Sequence, residues 1–276
     1  MNTTVFTTVI NASAAKVWLV LWSDATYRQW TSVFSDSSHA VSDWNEGSKI
    51  QFLDGQGRGM HGVIEKKLQP SIMVFRHIGE IKDGQETVSD WGGAHESYFL
   101  TEENGQTTLR AELDMTEEFK SYFEKTFPLA LQKVKEISEQ PVELSIEASV
   151  QADPAKVWEY WTNPAHITQW NFAIDTWHCP AATNDLRVGG SFSSRMEAKD
   201  GSFGFDFGGV YTAVVPQEKI AYTMGDGRRC TVHFRPDNGG TAISSRFDAE
   251  EENSFDMQQM GWQAILNNFK AYTEAH

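Results

Sequence analysis

Cysteine is almost missing from this chain. Cys179 and Cys230 are the only two in 276 residues, with no CxxC spacing. That excludes a disulfide framework or a zinc knuckle, and reads as two reduced thiols of a cytoplasmic protein. Basic residues are short as well, 23 against 38 acidic, for a net charge of −15. The shortage is shared: residues 1–140 hold 13 basic and 20 acidic side chains, residues 141–276 hold 10 and 18. Phosphate backbones and anionic bilayers repel such a chain, so nucleic acid and membrane surfaces are not expected partners. No run approaches the ~18 apolar residues of a membrane span, so membrane insertion is not expected. The first ten residues, MNTTVFTTVI, lack the basic segment and apolar core of a secretory leader. GxGxxG, P-loop, GxSxG and HExxH patterns are all absent, so no cofactor and no metal are expected and no catalytic residue is assigned.

Aromatic residues are plentiful, with ten Trp and seventeen Phe. They fall in a repeat. The segment Asp153 to Trp170, DPAKVWEYWTNPAHITQW, has a worn copy in Ser13 to Trp30, SAAKVWLVLWSDATYRQW. Trp18 and Trp158, and then Trp30 and Trp170, stand 140 residues apart without a break in register. The chain is therefore a duplication with domains at 1–140 and 141–276, each large enough to bury a core.

Each half reads in the same order. Thr4 to Ile10 and Val142 to Val150 alternate as half-buried strands do. Asn11 to Ser13 and Asp153-Pro154 carry helix-starting chemistry, followed by two short helices. A run of antiparallel strands follows, punctuated by Gly-rich turns, with Gly79 to Gly93 as a polar insert in the first half. Glu103-Asn104-Gly105 and Asp237-Asn238-Gly239-Gly240 mark hairpins. Each half closes on a long helix. Phe119, Phe123, Phe127, Leu131, Val134 and Ile137 form the apolar stripe of the first, with Pro128 as a predicted kink or restart. Trp262, Leu266, Phe269 and Tyr272 match the last four of these at an offset of 135.

These residues carry a resemblance. Ala152-Asp153-Pro154, Val157-Trp158, Trp161-Thr162, Trp170, Gly189-Gly190-Ser191-Phe192, Gly209, Pro216, Ile220 and Gly261-Trp262 resemble the START-like (Bet v 1-like, SRPBCC) superfamily. The likeness is to bacterial relatives of the C-terminal domain of the Hsp90 ATPase activator, the AHSA1-like proteins. The first half keeps Val17-Trp18, Trp30, Glu46-Gly47 and Pro70 but has Thr126-Phe127 in place of Gly-Trp. The resemblance implies an α+β fold: two tandem helix-grip domains. In each, a curved antiparallel β-sheet wraps a long C-terminal α-helix, with two small helices after the first strand. It also implies a ligand cavity between sheet and helix. The activator's other domain has no counterpart here, so Hsp90 is not an expected partner.

On that fold, one set of aromatics converges in the second domain: Trp161, Trp170, Phe172, Trp177, Phe192, Phe205, Phe207, Tyr222 and Trp262, beside Gly261. The corresponding set in the first domain is Trp22, Trp30, Phe34, Trp44, Phe52, Trp91 and Tyr98. Either set lines a pocket or fills a core. The expected function is binding of a small hydrophobic or aromatic molecule. The rivals are an enzyme of cyclase, dehydratase or hydrolase type in the same cavity, and an interaction or chaperone-regulatory module with closed cores. The Gly-Trp pair predicts that the second cavity is the better defined.

Overall fold

A computed structural model describes residues 1–276, which divide into two compact units, Met1–Pro141 and Val142–His276. The first unit begins with β1 (Asn2–Ile10), α1 (Ala14–Trp22) and α2 (Asp24–Thr31). Seven strands follow: β2 (His39–Val41), β3 (Lys49–Leu53), β4 (Gly59–Leu68), β5 (Ile72–Lys82), β6 (Gln85–Val88), β7 (His95–Glu103) and β8 (Gln106–Met115). Helix α3 (Glu117–Ser138) closes the unit. The second unit runs β9 (Glu143–Val150), α4 (Pro154–Thr162), α5 (Pro164–Trp170) and β10 (Trp177–Asn184). Then come β11 (Ser191–Ala198), β12 (Gly204–Val215), β13 (Lys219–Met224), β14 (Arg229–Asp237), β15 (Gly240–Asp248) and α6 (Phe255–Ala275).

The two antiparallel sheets have one strand order. It is β1-β8-β7-β5-β4-β3-β2 in the first unit and β9-β15-β14-β13-β12-β11-β10 in the second. Small devices repeat with it. The Ser13 hydroxyl accepts from the Lys16 amide, and the Asp153 carboxylate accepts from Ala155 and Lys156, so both first helices are capped by their own chain. The indoles of Trp30 and Trp170 donate to the carbonyls of Leu21 and Tyr160, each at 3.1 Å, and tie the second small helix to the first. Thr107 and Thr241 donate to the carbonyls of Ala12 and Ala152. The bulge between Ile64 and Lys66 recurs between Tyr211 and Ala213. Such a bulge bends the strand and adds the curl that lets the sheet grip a helix. The Asn104-Gly105 and Asn238-Gly239 turns both have positive φ at both residues, 53° and 75°, then 45° and 85°. That geometry matches the strand twist in a two-residue hairpin.

Three elements differ from the sequence reading. The polar insert is a hairpin: β5 continues to Lys82 and pairs with β6 across Asp83-Gly84. Its β6 strand is exposed throughout, so it has no apolar alternation to read. Strand β10 was hidden by Pro180, which sits at a register shift on a sheet edge, where proline is tolerated. Helix α3 contains Pro128 and is assigned as one helix from Glu117 to Ser138. Its apolar stripe is buried only from Phe127 onward, and Phe119 is exposed.

Candidate functional site

In the second unit the sheet and α6 enclose a cavity of about 940 Å³. Strand alternation builds its floor. Phe192, Ser194 and Met196 of β11 share the inner face, as do Ile220 and Tyr222 of β13. Phe207 and Tyr211 of β12, Val232 of β14 and Ser245 of β15 complete that wall. Trp161 and Trp170 of the small helices form one end. Their rings lie 5.3 Å apart, and both meet the Phe269 ring edge-on at 4.8 and 4.9 Å, which fixes their positions. Along α6, Gly261, Trp262, Ile265 and Leu266 face the space. Trp262 stacks flat on Phe247 at 4.0 Å and meets Phe207 edge-on. The mouth is apolar: Ile174, Phe203, Phe205 and Met257 line it and are exposed.

Of the ten side chains singled out in this half, nine line the cavity. Phe172 does not; its carbonyl accepts a hydrogen bond from Asn268 instead. Gly261 faces this space from within α6. No protein atom lies within 4 Å of where its Cβ would be, so it borders open space. Glycine inside a helix is destabilising by about 0.5–1 kcal/mol relative to alanine. Gly261→Ala is therefore expected to stabilise the chain by about 0.5–1 kcal/mol, seen as a higher denaturation midpoint at an unchanged m-value. A lower midpoint would mean that the space is not free.

The uncharged polar groups of the wall include Ser194, Tyr211, Tyr222 and Ser245. Burial pushes the Tyr222 hydroxyl well above its ordinary pKa, with a further push from Cys230. Burial also raises the thiols of Cys179 and Cys230. The Tyr211 hydroxyl donates to Asn184 Oδ1 at 2.8 Å, and burial lifts its pKa to about 12. The folded state thus holds the Tyr211 proton more tightly than the unfolded chain does. Its contribution is complete below pH 10 and is lost as the pH rises towards 12. This amounts to about 2–3 kcal/mol, so unfolding at alkaline pH should be steep, and Tyr211→Phe should flatten the pH 10–12 slope. An unchanged slope would contradict the assignment.

Charged groups stand at one side of the mouth. Desolvation pushes the Asp226 carboxyl up, but backbone and side-chain bonds from Arg228 outweigh it and hold it low. Arg228 Nε lies 2.7 Å from Asp226, and Arg228 also donates to the Asp248 carbonyl. Glu250, Glu251 and Glu252 lie alongside.

In the first unit three of the equivalent positions are bulkier, while Leu21, Ile50 and Phe127 stand where the second unit has Trp161, Phe192 and Trp262. Strand register places Tyr98 where the second unit has Val232, and Phe52 where it has Ser194. Trp22 stands at the position of Thr162, at the end of the first small helix. The Trp22 ring meets Tyr98 at 5.0 Å, Phe75 at 5.3 Å and Trp44 at 5.6 Å. Phe52 packs edge-on against Phe75 and Trp30 against Tyr27, and Phe34 lies tilted against Phe127. Trp91 lies apart from this group, beside His77. The aromatics singled out in this half therefore mostly meet one another. Among them is a carboxylate that the sequence reading passed over. Glu96 accepts from the Tyr98 hydroxyl at 2.5 Å, and its other oxygen lies 3.2 Å from His77 Nε2. Its one signal is phase, since it alternates with Tyr98 and Leu100 on the inward face of β7.

The family of Activator of Hsp90 ATPase homolog 1-like proteins matches residues 151–274. An AHSA1-like protein from Aeromonas hydrophila is 44% identical over 49% of this chain and 93% of its own, with a TM-score of 0.47. A protein from Cytophaga hutchinsonii is 51% identical over 48% of this chain and 92% of its own, with a TM-score of 0.44. The di-domain ARO/CYC BexL from the BE-7585A biosynthetic pathway covers 100% of this chain and 98% of its own at 11% identity and a TM-score of 0.40. No curated protein matches the chain. The chain belongs to the AHSA1 family of START-like proteins, as a tandem duplication of the helix-grip unit. No helix is long and apolar enough to cross a membrane.

Proposed function

We propose that the second unit binds a small hydrophobic or aromatic molecule between its sheet and α6. The observation that carries this reading is a roughly 940 Å³ space, bordered by Gly261 and walled by aromatic rings, with an exposed apolar mouth. Ligand sites of small molecules have this size and this mostly apolar lining. A cysteine nucleophile needs a thiol drawn down towards thiolate, and burial drives both cysteines the other way. In the first unit, the rings of Trp22, Phe52 and Tyr98 stand where the second unit has smaller side chains, which favours a closed core there.

Hydrophobic burial supplies most of the affinity of such a site, at roughly 25 cal/mol per Å² before the costs of association. Binding should therefore be nearly insensitive to salt. The test is a fluorescence titration of the full chain with the neutral dye N-phenyl-1-naphthylamine at low and high ionic strength. The expected affinities agree within about twofold, since screening weakens charge contacts and not apolar ones. Loss of binding in high salt would place the dye on the charged surface and sink the proposal.

A further inference from the structure

The wall of the second cavity is not purely apolar. Tyr222, Cys230 and Ser245 sit on the neighbouring strands β13, β14 and β15, directly opposite or diagonal to one another in the ladder. The Tyr222 side chain stands directly opposite Cys230 on the neighbouring strand. The Cys230 thiol lies 3.4 Å from Ser245 Oγ. Tyr222 and Ser245 both line the cavity, at 9% and 2% exposure, whereas Phe203 at the mouth is 62% exposed. The Cys230–Ser245 contact uses one of the three O–H and S–H protons that these groups carry. The Tyr222 hydroxyl is left as a donor beside a cavity whose lining is mostly apolar. A buried donor without a partner is costly, so a ligand that supplies an acceptor gains what an oil-like ligand does not.

The charge of that acceptor is restricted. Arg228 is the only Lys, Arg or His side chain in the lining, and it is engaged by Asp226 and the Asp248 carbonyl. No cation remains to pair with an anionic head group. The acidic residues Asp226 and Glu250 to Glu252 line the same cavity and oppose the entry of an anion. We propose that Tyr222, Cys230 and Ser245 form a polar anchor, and that the ligand is an uncharged apolar molecule presenting one carbonyl oxygen to it. This rests on the binding reading above and adds the chemical class and the residues that select it. The anchor gives orientation and specificity, while the aromatic walls give affinity.

Three naphthalenes of one shape separate the possibilities: 2-acetylnaphthalene, the oxygen-free 2-isopropenylnaphthalene, and the anionic 2-naphthoate. Calorimetric titration of the full chain should show the ketone binding about tenfold tighter than the hydrocarbon, the value of one well-placed hydrogen bond. Naphthoate should bind more weakly than the ketone. In Tyr222→Phe/Ser245→Ala the ketone and hydrocarbon should bind alike. Should the double variant not fold, the single variants carry the same test, and at least one must shrink the ratio threefold or more. A ratio intact in all of them, or naphthoate binding as tightly as the ketone, overturns the anchor. Gly261→Leu separates this from the broader reading. If it abolishes hydrocarbon binding while the anchor variants leave the ketone preference untouched, the cavity stands and the anchor falls. If hydrocarbon binding is absent, or survives Gly261→Leu, both fall.

Discussion

Gly261→Leu lowers the affinity of the chain for a neutral apolar dye roughly ten- to a hundredfold and leaves the fold at least as stable as before. The two effects have one cause. Open space lies where the new side chain would start, so the protein gives nothing up, and leucine is a far better helix former than glycine. A ligand in that space loses room. Forcing extra methylenes into an occupied core costs about 1–3 kcal/mol, and each 1.4 kcal/mol is a factor of ten in affinity. A dye titration beside a guanidinium melt checks both effects. Destabilisation together with lost binding would mean that α6 is tightly packed at this point, against the geometry described above.

The second large effect contrasts the two units. Phe127 and Trp262 occupy equivalent positions on α3 and α6, but Phe127 is 2% exposed and meets the rings of Phe6, Phe34 and Tyr98. Phe127→Ala should cost about 3–5 kcal/mol, the ordinary penalty for emptying a filled aromatic site. Trp262→Ala should cost less than half of that, although tryptophan is larger. One flank of its ring already borders empty space, so fewer contacts are there to lose. Denaturant midpoints of the two variants decide this. Equal losses would show that the second unit is packed as tightly as the first.

Much of this architecture was legible in the residues. The Trp18 and Trp158 spacing, the Ser13 and Asp153 caps and the Asn-Gly turns are local signals, and each appears in the structure where its chemistry requires. Exposed or edge elements were harder: β6 is exposed throughout, and Pro180 with a register shift interrupts β10. The site was legible only in part. Aromatic spacing points inward in both halves, but it does not say whether rings meet one another or surround a space. That depends on the smaller partners: Ser194 against Phe52, Val232 against Tyr98, Thr162 against Trp22. These pairings become visible only once strand register is known.

The claim that the second unit is hollow and the first is filled comes down to a number of sites. A stoichiometric fluorescence titration of the full chain with N-phenyl-1-naphthylamine, at protein concentrations well above the dissociation constant, counts them directly. One dye per chain is the predicted end point, falling towards none in Gly261→Leu; two per chain, or one that survives that substitution, would contradict it.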